Sequence, residues 1–84
     1  MKSPITSFEI INDSNLEMHL VHEPEGFEFV LNPKDEVIVE VDSSKQSVSL
    51  RCSIEDGICV VGILPNNSSY KVIHNGVNVF KEYY

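Results

Sequence analysis

The stretch Val48 to Ile63, VSLRCSIEDGICVVGI, constrains the fold more than any other, because two apolar runs flank Asp56-Gly57 and so encode their own pairing. Asp-Gly between alternating hydrophobics is a strong hairpin signal, since Gly supplies the positive φ that a type I′ turn demands. A two-residue turn sets Glu55 opposite Ile58, Ile54 opposite Cys59, Cys52 opposite Val61 and Leu50 opposite Ile63. One face of the hairpin is then wholly apolar: Val48, Leu50, Cys52, Ile54, Cys59, Val61 and Ile63. This face is predicted to be buried. The other face of the first strand reads Ser47, Ser49, Arg51, Ser53, the pattern of a solvated surface. A three-residue loop, Glu55-Asp56-Gly57, would instead set Ile54 opposite Ile58 and move Cys59 to the face away from Cys52. The two-residue register is preferred because it buries more apolar side chains. Residues Ile58 to Leu64 are apolar on both faces apart from Gly62, which predicts a strand in the middle of its sheet.

The same alternation recurs every eight to twelve residues, and no segment of twelve or more has the i, i+3, i+4, i+7 spacing of an amphipathic helix. Strands are predicted at Thr6 to Asn12, Leu16 to His22, Gly26 to Leu31, Glu36 to Asp42, Ser47 to Ile54, Ile58 to Leu64, Tyr70 to His74 and Val77 to Phe80. The intervening segments, such as Asn12-Asp13-Ser14-Asn15, Asn32-Pro33-Lys34-Asp35 and Asn75-Gly76, are turn chemistry: Pro presets φ, Gly and Asn accept positive φ, and Asp or Ser bonds nearby backbone. Parity points Phe8, Ile10, Leu16, Met18, Leu20, Phe27, Phe29, Leu31, Val37, Val39 and Val41 inward. Their neighbours Glu9, Glu17, Glu28, Glu36 and Glu40 face the other way. Residues 1–84 are read as a single all-β domain, a small antiparallel β-sandwich of immunoglobulin-like or related type, with a small β-barrel as the alternative.

Glu23-Pro24-Glu25-Gly26, Phe29-Val30-Leu31-Asn32-Pro33 and Asp35-Glu36-Val37-Ile38-Val39 together resemble a pattern in short bacterial β proteins, where an E-P-x-G turn precedes a strand, a Pro-led acidic turn and a valine-rich strand. The resemblance covers some twenty residues of turn and strand chemistry and implies no activity. The strand, Pro-containing turn and strand are also similar to part of many immunoglobulin-like modules. The buried Trp and widely spaced Cys pair of antibody domains are missing here, so the similarity supports the sandwich alone.

Size and charge narrow the function. A chain of 84 residues buries only somewhat above ~60 % of its unfolded surface, so a shallow surface site is favoured over a deep pocket. The opening residues MKSPITSFEI contain one Lys and no apolar run of signal-peptide length, and no run of ~18 apolar residues suggests a membrane span. The expectation is a soluble, cytoplasmic protein. Net charge is -7, with ten acids and two lysines in residues 1–42 (-8) and three acids and four bases in residues 43–84 (+1). An acidic first half repels phosphate backbones and anionic membranes, so neither nucleic acid nor membrane is expected as a partner. The acids either keep a small β protein soluble or form a face for a basic protein.

Catalytic and metal chemistry lack their usual constellations. Cys52 and Cys59 are spaced too widely for C-x-x-C, with no second cysteine pair for zinc, and are read as buried small hydrophobes. His19 and His22 are three apart on a strand, which points them to opposite faces; His74 flanks the Asn75-Gly76 turn and is read as a surface residue. No metal or cofactor is expected. There is no G-x-S-x-G elbow and no glycine-rich phosphate loop, so the chain is read as a non-enzyme. The expected role is contact with a protein partner or with a second copy, as an accessory, inhibitory or self-associating module. Candidate contact residues are Glu23, Glu25, Glu28, Glu36 and Glu40 with Tyr83 and Tyr84, tyrosine being enriched at interfaces. The alternatives are an immunity-type inhibitor of a basic protein and a metal- or small-ligand-binding module centred on His22 with Glu23.

Overall fold

The computed structural model describes residues 5–23, 26–42, 48–65 and 70–80, less the side chains of Asp42 and Pro65. Eight strands follow in order: β1 (Ile5–Ile11), β2 (Met18–His22), β3 (Phe27–Leu31), β4 (Glu36–Asp42), β5 (Val48–Glu55), β6 (Ile58–Pro65), β7 (Tyr70–His74) and β8 (Val77–Asn78). They form two four-stranded sheets packed as a small sandwich, sheet I in the order β1-β4-β7-β8 and sheet II in the order β3-β2-β6-β5. Every pairing is antiparallel except β2 with β6, where Leu20 lies beside Val61 and His22 beside Ile63 in a parallel ladder. The apolar character of β6 on both faces suits a strand enclosed by neighbours on each side.

The two tight turns follow from their residues. Asp56 (φ 53°) and Gly57 (φ 78°), like Asn75 (φ 52°) and Gly76 (φ 82°), take positive φ at both corners, as a type I′ turn requires. The β5–β6 register is the two-residue one, with Glu55 opposite Ile58, Cys52 opposite Val61 and Leu50 opposite Ile63. Residues Val37, Val39, Val41, Tyr70, Val72 and Phe80 of the first layer meet Leu20, Leu31, Val61 and Ile63 of the second in a continuous buried core. β8 ends sooner than its apolar residues suggest: Phe80 lies beyond the strand, held by its N–H to Asn78 Oδ1 at 3.3 Å, and its ring is buried.

The joint between β1, β2, β3 and β4 is built on Asn12, a fully buried polar residue. Its Nδ2 donates to the carbonyls of Leu16 (2.7 Å), Leu31 (3.0 Å) and Asn32 (3.1 Å), and its Oδ1 accepts from the N–H (3.2 Å) and hydroxyl (2.7 Å) of Ser14. The backbone completes the joint: Asn12 N–H donates to Asp35 C=O at 2.9 Å and Lys34 N–H to Asn12 C=O at 2.8 Å. One side chain thereby ties three chain segments together, sharing Leu16 C=O with Ser14 Oγ (3.1 Å) and Asn32 C=O with Asp35 N–H (3.1 Å).

Burial departs from the sequence expectation mainly at β5. Leu50 is 43 % and Ile54 72 % exposed, and Cys52 is exposed too, although all three share a face with buried Val61 and Ile63. The reason is position: β5 is an end strand, and two twisted sheets packed face to face cover each other at the centre and diverge at the margins. Leu16, expected inside, lies before β2 and is 62 % exposed, while Phe27 sits on the other end strand of sheet II and is only partly covered.

Candidate functional site

The outer face of sheet I combines charge with uncovered apolar surface. Strand parity places Ile5, Ser7, Glu9 and Ile11 of β1 outward, and the β1–β4 register sets Ile11 beside Glu36, Glu9 beside Ile38 and Ser7 beside Glu40. Across β4, Ile38 meets Ile73 and Glu40 meets Lys71. Ile5, Ile11 and Ile38 are 68 %, 55 % and 42 % exposed, far more than an isolated sheet face needs for packing. Glu36 carries the electrostatic signature of this face: a hydrogen bond with the Glu9 carboxyl and its like charge, then partial desolvation and the Asp35 charge, push its carboxyl above the ordinary value.

Asp35, just before the same strand, moves the other way. His74 Nε2–H donates to Asp35 Oδ2 at 2.6 Å, and the Glu36 N–H donates to Asp35 Oδ1 at 2.8 Å. These bonds, the His74 one foremost, hold the Asp35 carboxyl below its usual range. The imidazole is further fixed against the Phe29 ring, with centroids 5.2 Å apart. His74 is thus a half-buried, partnered side chain that joins the β7–β8 turn to the β3–β4 link, where the sequence reading expected a surface residue flanking the turn.

Sheet II holds the remaining candidates. Its outer face carries His19, whose Nδ1 lies 3.0 Å from Glu28 Oε2, with Glu17 Oε1 3.9 Å from Nε2. Glu23 reaches over the same face, where a Cβ on Gly62 would meet its Oε2 at 3.2 Å; the absent side chain at Gly62 makes room for the carboxylate. His22 points inward instead. It is buried, shares a hydrogen bond through Nδ1 with the Tyr70 hydroxyl, and packs against the rings of Tyr70 and Phe80 with centroids 5.5 Å and 5.8 Å away. The sheet therefore separates His22 from Glu23 and from His19. Among the described residues, no group of three or more His, Cys, Asp or Glu side chains converges to hold a metal ion.

No family model matches the chain, and neither a curated protein nor a solved structure matches it. The site must be judged on its own residues. Of the glutamates singled out from sequence, Glu36 and Glu40 lie on the outer face of sheet I, while Glu23 and Glu28 lie on the outer face of sheet II. Glu25, Tyr83 and Tyr84 lie outside the described residues. Glu9 and the exposed isoleucines are the functional candidates that sequence reasoning did not select. Their signal was present in the alternation of EVIVEV, which puts Ile38 on the same face as Glu36 and Glu40, and in the matching alternation of β1.

The two cysteines are separate thiols. Cys52, exposed on β5, and Cys59, half-buried on β6, are diagonal neighbours on one face. The reading of both as buried hydrophobes holds only in part for Cys59 and fails for Cys52, because the inner side of an end strand is left uncovered. No helix in the described residues is long and apolar enough to cross a membrane.

Proposed function

We propose that this protein is a cytoplasmic interaction module that recognises a basic protein partner through the outer face of sheet I. The observation that carries the reading is the crowding of Glu9 and Glu36 among three exposed isoleucines on one flat strand surface. Like carboxylates held together cost the isolated chain stability and exposed apolar side chains contribute none to it, so a partner presenting Lys or Arg around an apolar centre relieves the repulsion and buries the apolar surface at once. Glu40 lies within this surface, between Ser7 and Lys71. An inhibitor of a basic enzyme or toxin would use the same surface.

The test is affinity capture on the immobilised chain from extracts of the source cells, followed by titration of each retained protein against variants. A basic partner is expected whose affinity falls at least tenfold in Glu36→Lys and in Ile38→Asp, and falls again as salt rises from about 0.1 to 0.5 M, where surface charges are screened over a few ångströms. Glu28→Lys, on the far face, should leave binding unchanged. Binding that ignores Glu36→Lys, Ile38→Asp and salt alike would sink the proposal.

A further inference from the structure

We infer that the outer edge of β5, along Leu50 to Ile54, pairs antiparallel with β5 of a second copy of this chain. The inference rests on sheet II and does not depend on the acidic face of sheet I. Among the described residues β5 ends its sheet, with β6 as its one neighbouring strand, and at eight residues it is as long as any described strand. The two-residue turn decides which of its backbone groups are unused. Glu55 and Ile58 flank the turn and are hydrogen-bonded to each other, so alternation makes Ser53 with Val60 and Arg51 with Gly62 the next bonded pairs. The N–H and C=O groups of Leu50, Cys52 and Ile54 therefore point away from β6. Those same residues carry the uncovered side chains on the inner face. Backbone donors, backbone acceptors and an apolar row thus lie together on one edge, in the form that accepts an added strand. No Pro or Lys interrupts Val48–Glu55, and its ladder with β6 has no bulge.

Charge selects the second copy as occupant. A chain of net charge -7 repels itself across its acidic surfaces, but Val48–Glu55 holds one base, Arg51, and one acid, Glu55, and is neutral. The other long edges are less suited: β1 carries Glu9 and β3 carries Glu28, with no base in either. Two-fold pairing centred on Cys52 places Leu50 opposite Ile54 of the second copy, Cys52 opposite Cys52, and Arg51 opposite Ser53, with Glu55 and Arg51 of the second copy as its two diagonal neighbours. Apolar residues then meet apolar residues, with no like charges directly opposed. A shift of two residues one way sets Arg51 against Arg51; a shift the other way runs Leu50 onto the Asp56 turn. The product is an eight-stranded sheet continuous through two copies.

The mass in solution and the amide exchange of the whole chain test this together. Between about 1 µM and 1 mM the mass is expected to double. Leu50, Cys52 and Ile54 amides should slow as it does, while those of Arg51 and Ser53, already bonded to β6, stay unchanged. Ile54→Lys, at an exposed position that leaves the fold intact, should weaken association at least tenfold; Ile38→Lys, on the other sheet, should not. Arg51→Glu should weaken it, and Arg51→Glu combined with Glu55→Arg should restore it. A single-chain mass at 1 mM, a doubled mass that survives Ile54→Lys, or exchange at Leu50, Cys52 and Ile54 that is the same at both concentrations would each overturn the inference.

Discussion

At the scale of single residues, Asp35 and Glu36 are adjacent carboxyls whose environments push them apart. Asp35 is lowered from 3.8, chiefly by the hydrogen bond from His74, so the folded chain releases its proton more readily than the unfolded chain. Its contribution to stability is therefore complete above the unfolded value and is lost as pH falls through the lower folded value. Glu36 is raised by Glu9, so the folded chain holds that proton more tightly, and its penalty at neutral pH is relieved as pH falls through the raised value. In thermal melts between pH 7 and pH 2, Asp35→Asn should lower the midpoint at neutral pH and reduce the loss of stability below about pH 4. Glu36→Gln should raise the midpoint at neutral pH and leave the lower arm steeper. Asn12 is the other decisive residue, because its amide serves three carbonyls at once. Asn12→Ala removes all three of these bonds, although Leu16 C=O can still accept from Ser14 Oγ and Asn32 C=O from Asp35 N–H, and should cost roughly 3 kcal/mol in urea unfolding with the slope unchanged.

At the scale of elements, the β5–β6 hairpin joins an inner strand of sheet II to an exposed end strand. Its turn depends on Gly57 at φ 78°, where an added Cβ would meet nothing within 4 Å. Gly57→Ala therefore isolates the conformational penalty and should destabilise by about 1 kcal/mol in denaturant titration, with no change in packing. Amides of Val61 to Ile63 should exchange slowest, since β6 is bonded on both sides and its inward side chains are buried. The thiols should separate by position in a labelling time course: Cys52 on the end strand reacts with a maleimide before Cys59 on β6.

At the scale of the whole molecule, a thin core is shared by strands from every part of the chain. Phe80, beyond the last strand, packs its ring against His22 from the opposite sheet and is among the largest fully buried side chains. Phe80→Ala should cost about 3 to 5 kcal/mol. In a domain of this size that lowers the thermal midpoint by more than about 10 °C, which melting curves followed by circular dichroism would register. The two sheets also divide the surface: acid and isoleucine on the outside of sheet I, and a neutral open edge on sheet II. The two proposed contact surfaces therefore lie on different sheets and do not overlap.

The local instructions were legible in the residues themselves. Alternation of apolar and polar side chains located all eight strands, Asp56-Gly57 fixed the hairpin register, and parity told Glu9, Glu36 and Glu40 from Val37, Val39 and Val41, because each depends on neighbours a few residues away. The tertiary structure alone decided that β2 lies parallel to β6, that β5 is an end strand with its apolar row in water, that Asn12 and His74 tie distant links together, and that the candidate glutamates divide between two faces. Those outcomes depend on which strands meet across tens of residues and on what the opposite sheet covers. A strand's own pattern states which side seeks burial, and the rest of the fold determines whether that side receives it.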